Sequence, residues 1–358
     1  MKNLKPDYLD YNATTPVDPR VVEIMNFYFT QEFGNAGSRT HIYGQNAKSA
    51  VNLAREVIAD SLMADPAEIV FTSGATESNN LALLGLQSYS NKVKKKHIIS
   101  SIIEHKAVLE PLEYLESIGY EVEYCPVTEG GFVDPAEVQK RIRKDTLLVS
   151  IMYSNNETGV IQPVHEISEM IFDKDIFFHV DAAQAFGKEI EGLKELNCDF
   201  LSVSGHKIYG PKGIGALYTR RKDGYPCDLK PIMFGGGQER GLRPGTLAVP
   251  LIAGLGKATE IAISDNKKRK IASGKKRKEV LEMLKGFKYS FNGDQDRVQE
   301  HVMNIKLDDY DSEAFMIMMK DEFAISNGSA CTSEAYKDSY VLSAMGVDEP
   351  SNCVRVSF

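Results

Sequence analysis

The chain of 358 residues contains no apolar run of about 18 residues, the length a helix needs to cross a bilayer, so no membrane span is expected. Its first residues, Met1-Lys2-Asn3-Leu4-Lys5-Pro6, lack the apolar stretch of a secretory signal. Cysteine is scarce, with five positions at irregular spacing (Cys125, Cys198, Cys227, Cys331 and Cys353) and no C-x-x-C pair. An odd, scattered set suggests neither a disulfide framework nor a zinc site, and no metal is expected. It points instead to a reducing compartment, where one thiol can do chemistry. Positive charge is in deficit: the net charge of -8 argues against direct nucleic-acid binding and for a soluble cytoplasmic protein. Internal repeats are also absent.

What is present is ordinary for a globular chain, 42% hydrophobic and 26% charged, and long enough for two adjoining domains. Short β-branched runs at 68–72, 97–101, 147–153, 176–181 and 200–204 read as strands. Helical stretches at 77–86, 107–118, 135–143 and 164–172 alternate with them, the rhythm of a mostly parallel sheet flanked by helices. Upstream, Ala47, Ala50, Val51, Ala54 and Ile58 share helical spacing, which predicts a long amphipathic helix over 41–63. After the glycine-rich Phe234-Gly235-Gly236-Gly237-Gln238, one long helical segment is expected over 250–284. Strands at 289–292, 302–307 and 354–358 and a helix at 312–320 follow, a smaller α+β domain. Eight lysines and arginines crowd positions 267–278; a solvated helix face is favoured there over a docking patch for an acidic partner.

The chemistry-bearing residues gather at expected strand ends. Lys207, in Ser204-Gly205-His206-Lys207, stands where a strand gives way to a polar turn; it is either a solvent-facing loop residue or a Schiff-base amine. Asp181 ends another strand, and parallel α/β sheets bind ligands beyond those ends. A lysine for an aldehyde and a carboxylate for a ring nitrogen are what pyridoxal phosphate requires. His179 and Asp181 share one strand face, so a metal site is the rival, but no third ligand is evident and a metal leaves Lys207 without a task. Ser73-Gly74-Ala75-Thr76 runs from strand through glycine into a helix, which makes either an ordinary N-cap or an anion seat. Cys331 sits in the small-residue stretch Ser329-Ala330-Cys331-Thr332-Ser333, where a mobile loop could carry a thiol nucleophile between a pocket and an acceptor. Arg355, in the last strand, could grip a substrate carboxylate or pair with a structural acid.

These stretches, with Tyr8-Leu9-Asp10-Tyr11-Asn12-Ala13-Thr14-Thr15-Pro16, Glu104-His105-Lys106 and Asn155-Asn156-Glu157, resemble the NifS/IscS-type (group I) cysteine desulfurases of the class V aminotransferase family. The resemblance implies a fold type I pyridoxal-phosphate enzyme. Its large domain (14–255) would hold a mostly parallel seven-stranded sheet, and its small α+β domain (1–13 and 256–358) the cysteine loop. It implies that Lys207 carries the cofactor, Asp181 faces the ring nitrogen and His105 stacks on the ring and moves protons. Gln184 would bond the ring hydroxyl, with Ala75, Thr76, Ser204 and His206 at the phosphate and Asn155 and Arg355 at the substrate. Thr246 would reach the phosphate of the neighbouring subunit, making a homodimer. Cys331 would take sulfur from L-cysteine as a persulfide, release alanine and pass the sulfur to an acceptor protein for iron–sulfur assembly, tRNA thiolation or DNA phosphorothioation.

Two departures stand out: Pro244 stiffens the segment carrying Thr246, and relatives usually continue beyond the position of Phe358 into C-terminal helices, so an incomplete small domain is expected. The competing readings are a selenocysteine lyase or aminotransferase, neither of which needs a loop thiol, and a non-catalytic scaffold of a sulfur system.

Overall fold

Every strand of the central sheet is short, and most bury both faces. In the computed structural model, which describes residues 5–222, 224–327 and 338–358, seven strands lie side by side. Their order is Ile69–Thr72, Gly215–Thr219, Phe200–Ser204, Phe177–Asp181, Thr146–Ser150, His97–Ser101 and Glu121–Cys125. All are parallel except Gly215–Thr219, which runs antiparallel to both neighbours. Continuous apolar runs such as Leu147-Leu148-Val149 supply both faces at once. Alternation sends Ile99 and Val149 to one layer of the core and Ile98 and Leu148 to the other.

The first layer is roofed by helices Ile42–Ser61, Val164–Ile171 and Val249–Ser264; the second by Ala75–Leu84 and Lys106–Ser117. Helix Ile42–Ser61 buries the five residues whose spacing predicts it, and the His41 ring caps it by accepting from the Gly44 N–H. Five parallel strands end in a polar residue: Thr72, Ser101, Ser150, Asp181 and Ser204. One edge of a largely apolar sheet is thereby polar, and it is the edge where ligands bind.

The antiparallel sheet Tyr289–Phe291, Val302–Leu307 and Cys353–Ser357 has its own core, in which Leu9 packs with Val280, Met303, Ile305, Phe315 and Val354. The expected boundary at 255/256 falls inside helix Val249–Ser264, whose Ile252, Ala258 and Ile261 pack in the large core. The single helix expected over 250–284 is two, Val249–Ser264 and Asn266–Met283. They part at Asp265, an unfavourable residue inside a helix, whose carboxylate pairs with Arg20 at 2.7 Å. The basic run is also more than a solvated face. Lys267, Lys268, Lys275 and Lys278 are exposed, but Arg269 lies 4.2 Å from the Tyr209 ring centre, Lys276 pairs with Asp7 at 3.0 Å and Arg277 donates to the Val302 carbonyl. Among the described residues no helix is long and apolar enough to cross a membrane.

Candidate active site

Beyond the polar edge of the sheet lies a cavity of about 670 Å³. Of the residues singled out from sequence, Ala75, Thr76, His105, Asp181, Gln184, Ser204, His206, Lys207 and Arg355 all border it. They come from strand ends, two helix N-termini and the terminal strand of the small sheet.

Asp181 closes strand Phe177–Asp181 and is 6% exposed. One carboxylate oxygen accepts from the Asn79 side chain at 2.7 Å, the other from the Ala183 N–H at 2.9 Å, which fixes its plane. Two residues back, His179 is fully buried between the Ser150 and Ser202 hydroxyls, at 2.8 and 3.1 Å. Burial drives its pKa down to about 4, so both ring nitrogens are engaged in a neutral imidazole. The metal alternative draws no support here: among the described residues no cluster of three metal-binding side chains occurs.

Lys207 follows strand Phe200–Ser204 in a single 3₁₀ turn, and its Nζ donates to the Asn12 and Ala13 carbonyls, the latter at 2.9 Å. The same Asn12 carbonyl accepts from Gln184, whose own side-chain oxygen accepts from Lys188 at 3.1 Å. Burial and the Lys207 charge together pull Lys188 down to about 7. A second amine beside Lys207 is a feature the sequence reading missed. Its signal was present: Lys188 lies four residues after Gln184, on the same side of a helical turn.

The candidate anion seat is formed at Gly74, whose φ of +153° leads strand Ile69–Thr72 into helix Ala75–Leu84. A side chain at Gly74 would meet only the Ser204 hydroxyl, at 3.9 Å, so glycine serves here for its backbone freedom rather than for want of space. Ala75 and Thr76 of the first turn, where helix N–H groups have no intrahelical partner, border the cavity together with Ser204 and His206. His206 stays neutral because burial, then the Lys207 and Lys212 charges, lower its pKa to about 4; its Nδ1 is 3.2 Å from the Thr14 hydroxyl.

His105 caps helix Lys106–Ser117, its Nδ1 accepting from the Ala107 N–H at 3.0 Å. The adjoining Glu104 was not weighed as a titrating group in the sequence reading. It is fully buried, holds Ser101 and the Met152 N–H with one oxygen, and is pushed up to about 8 by burial. Arg355 enters from the far side, paired with Asp10 at 2.6 Å and donating to the Asn156 carbonyl at 3.0 Å.

Two residues are not brought together with the rest. Asn155 is fully buried, but its amide donates to the Ile103 carbonyl and accepts from the Glu157 and Thr158 N–H groups; its neighbour Asn156 borders the cavity. Thr246 is exposed and outside the cavity. Cys331 lies outside the described residues. The four described cysteines are free, and burial raises the pKa of each, to about 11 for Cys125 and about 12 for Cys227. None of those four is primed as a thiolate.

The chain belongs to the aminotransferase class-V family, which it matches over residues 7–358. More particularly, it is 46% identical over 354 residues to cysteine desulfurase IscS of Rickettsia massiliae (strain Mtu5), an alignment covering 96% of this chain and 83% of that protein. Its structure superposes on a NifS-like protein with a TM-score of 0.90 at 36% identity, covering 98% of this chain and 93% of the other. It also superposes on SspA in complex with cysteine, with a TM-score of 0.85 at 39% identity and 98% of each chain covered. The fold type I reading is borne out, and the chain is an enzyme.

Proposed function

We propose that this enzyme is a pyridoxal-phosphate-dependent cysteine desulfurase, converting L-cysteine to L-alanine and a persulfide on Cys331. The observation that carries the reading is the cavity bordered at once by Lys207, the Asn79-anchored Asp181 and the Gly74–helix seat. The donor set fits the cofactor: an amine, a carboxylate in a dry setting, an imidazole and a helix N-terminus. Around the same cavity Arg355 Nε, Asn12 Oδ1 and Asn156 Oδ1 are buried with no hydrogen-bond partner among the described residues, as expected of a site that receives a polar ligand.

Pyridoxal phosphate, when bound, supplies an electron sink that weakens bonds around the substrate α-carbon. Lys207 would hold it, Asp181 would keep its ring nitrogen protonated, and Thr76, Ser204 and His206 would take its phosphate. Arg355 would orient the substrate carboxylate in a two-pronged contact. The Lys207 amine would take the α-proton, and His105 would help move protons at the site. The Cys331 thiolate then attacks the substrate sulfur. An S–S bond forms as the C–S bond breaks, and the carbon skeleton keeps the electron pair and is protonated to alanine.

The same reading includes a homodimer, a cytoplasmic setting, a large and a small domain divided after helix Val249–Ser264 rather than at 255/256, and an acceptor protein for the sulfur.

Borohydride reduction followed by peptide mapping is expected to label Lys207; a label on another lysine would overturn the cofactor assignment. Cys331→Ala is expected to keep the yellow cofactor and bind cysteine while releasing no sulfide. Unchanged sulfide release would rule out the persulfide route.

A further inference from the structure

The turn that forms the anion seat is closed by a carboxylate. Glu77, in the first turn of helix Ala75–Leu84, accepts from the Ser73 N–H at 2.7 Å and so pins the residues on either side of Gly74. A carboxylate there suits the helix N-terminus. It also sets a negative charge within one turn of the place where a phosphate would bind, and in a half-buried setting that repulsion is poorly screened.

A second chain segment answers that charge. Arg243 reaches Glu77 with Nε to Oε1 at 2.8 Å and Nη2 to Oε2 at 3.3 Å, a two-pronged contact. Although burial alone would raise the Glu77 pKa, Arg243 and the Ser73 N–H outweigh it and hold the group below its ordinary value. The segment bearing Arg243 is itself locked to the strand that leads into the turn. Glu239, 6% exposed, takes Arg55 through two contacts of 2.9 and 2.6 Å and the Phe71 N–H at 2.8 Å. Glu239 and Arg240 hold left-handed φ values of 45° and 57°, a strained conformation for side-chain-bearing residues. The fold accepts that strain and delivers Arg243 to Glu77.

We infer that Glu77 and Arg243 are a charge-matched positioning pair for phosphate binding, in which Glu77 holds the Ser73-Gly74 turn and Arg243 cancels the carboxylate that would otherwise repel the phosphate. The inference rests on the reading above, that this turn seats the cofactor phosphate. Neither residue is assigned contact with the cofactor. The pair acts through the shape and the net charge of the turn.

The test compares pyridoxal phosphate with pyridoxal, which lacks the phosphate, in absorbance titrations of the full chain stripped of cofactor. Arg243→Met is expected to weaken pyridoxal phosphate about tenfold and pyridoxal less than about twofold, the size of one poorly screened charge near a helix N-terminus. Adding Glu77→Gln to Arg243→Met is expected to recover most of the loss, because the uncompensated charge is gone while the amide oxygen still accepts from Ser73. Arg243→Lys, which keeps the charge without the fork, is expected to fall between. Equal loss for both ligands, or no recovery in the double variant, overturns the pair. A parent protein that binds pyridoxal as tightly as pyridoxal phosphate instead defeats the phosphate seat itself, and the pair with it.

Discussion

Asp181 and Arg355 border the same cavity but are held there by different forces. Asp181 ends a strand laddered on both sides, rests above a neutral buried histidine, and takes its orientation from Asn79 and a backbone N–H two residues away. Arg355 sits on the smaller sheet and is aimed by Asp10, 345 positions earlier in the chain. Arg243, aimed by Glu77, and Glu239, aimed by Arg55, belong to the second kind. A side chain set by a ladder inherits the stiffness of the sheet. One set by an ion pair depends on two charges staying matched, and removing one leaves the other stranded in a poorly solvated place.

The largest test of this contrast is Arg55→Met, which strands the Glu239 carboxylate. It is expected to cost about 3–5 kcal/mol in urea unfolding, the usual penalty for breaking a buried pair from one side. A loss under 1 kcal/mol would mean that the ladder, not the pair, holds this segment.

Acid titration probes the sheet side. The His179 pKa of about 4 lies below the ordinary 6.5, so between those values the unfolded chain binds a proton that the folded chain refuses. Stability therefore falls as pH drops from about 6.5 to 4, by up to about 3 kcal/mol from this residue. Melting curves of His179→Asn are expected to lose that part of the acid sensitivity, while stability above pH 7 changes little by this route. An unaltered acid slope would show that His179 titrates freely.

Asn79→Ala is expected to cost about 1–2 kcal/mol in stability and to weaken cofactor binding by about tenfold, since Asp181 loses one of its two donors. If binding is unchanged, the strand end alone orients Asp181. The smallest effect belongs to the outer face of helix Asn266–Met283. Lys267→Gln with Lys268→Gln is expected to shift stability by less than about 0.5 kcal/mol, while Arg269→Gln, which loses the Tyr209 ring, shifts it more.

Much of this contrast follows legibility in the sequence. Strands His97–Ser101 and Phe200–Ser204 match the expected spans residue for residue, because buried parallel strands are unbroken apolar runs bounded by polar residues. Edge strand Glu121–Cys125 and the antiparallel Gly215–Thr219 were missed; the first carries two glutamates and the second begins at a glycine, and neither pattern stands out locally. Lys207, Asp181 and the Gly74 turn were legible because their chemistry depends on strand ends and a helix start. Asn79 and Glu104 were not, since each gains its role from partners contributed by other elements. Asn155 shows the reverse case: the motif around it was recognisable, yet its amide oxygen is spent within its own turn and its NH2 on the Ile103 carbonyl.

The amino-acid sequence by itself determined the alternation of strands and helices, the amine and carboxylate at two strand ends, and the glycine that starts helix Ala75–Leu84. All of these follow from local patterns of apolarity, backbone freedom and charge. Tertiary structure alone decided the electrostatic state of the groups around the cavity. Glu104 is driven up to about 8 and His206 down to about 4 by burial, and Arg243 is spent on Glu77. Desolvation and charge pairing act through space, between residues that the chain keeps far apart.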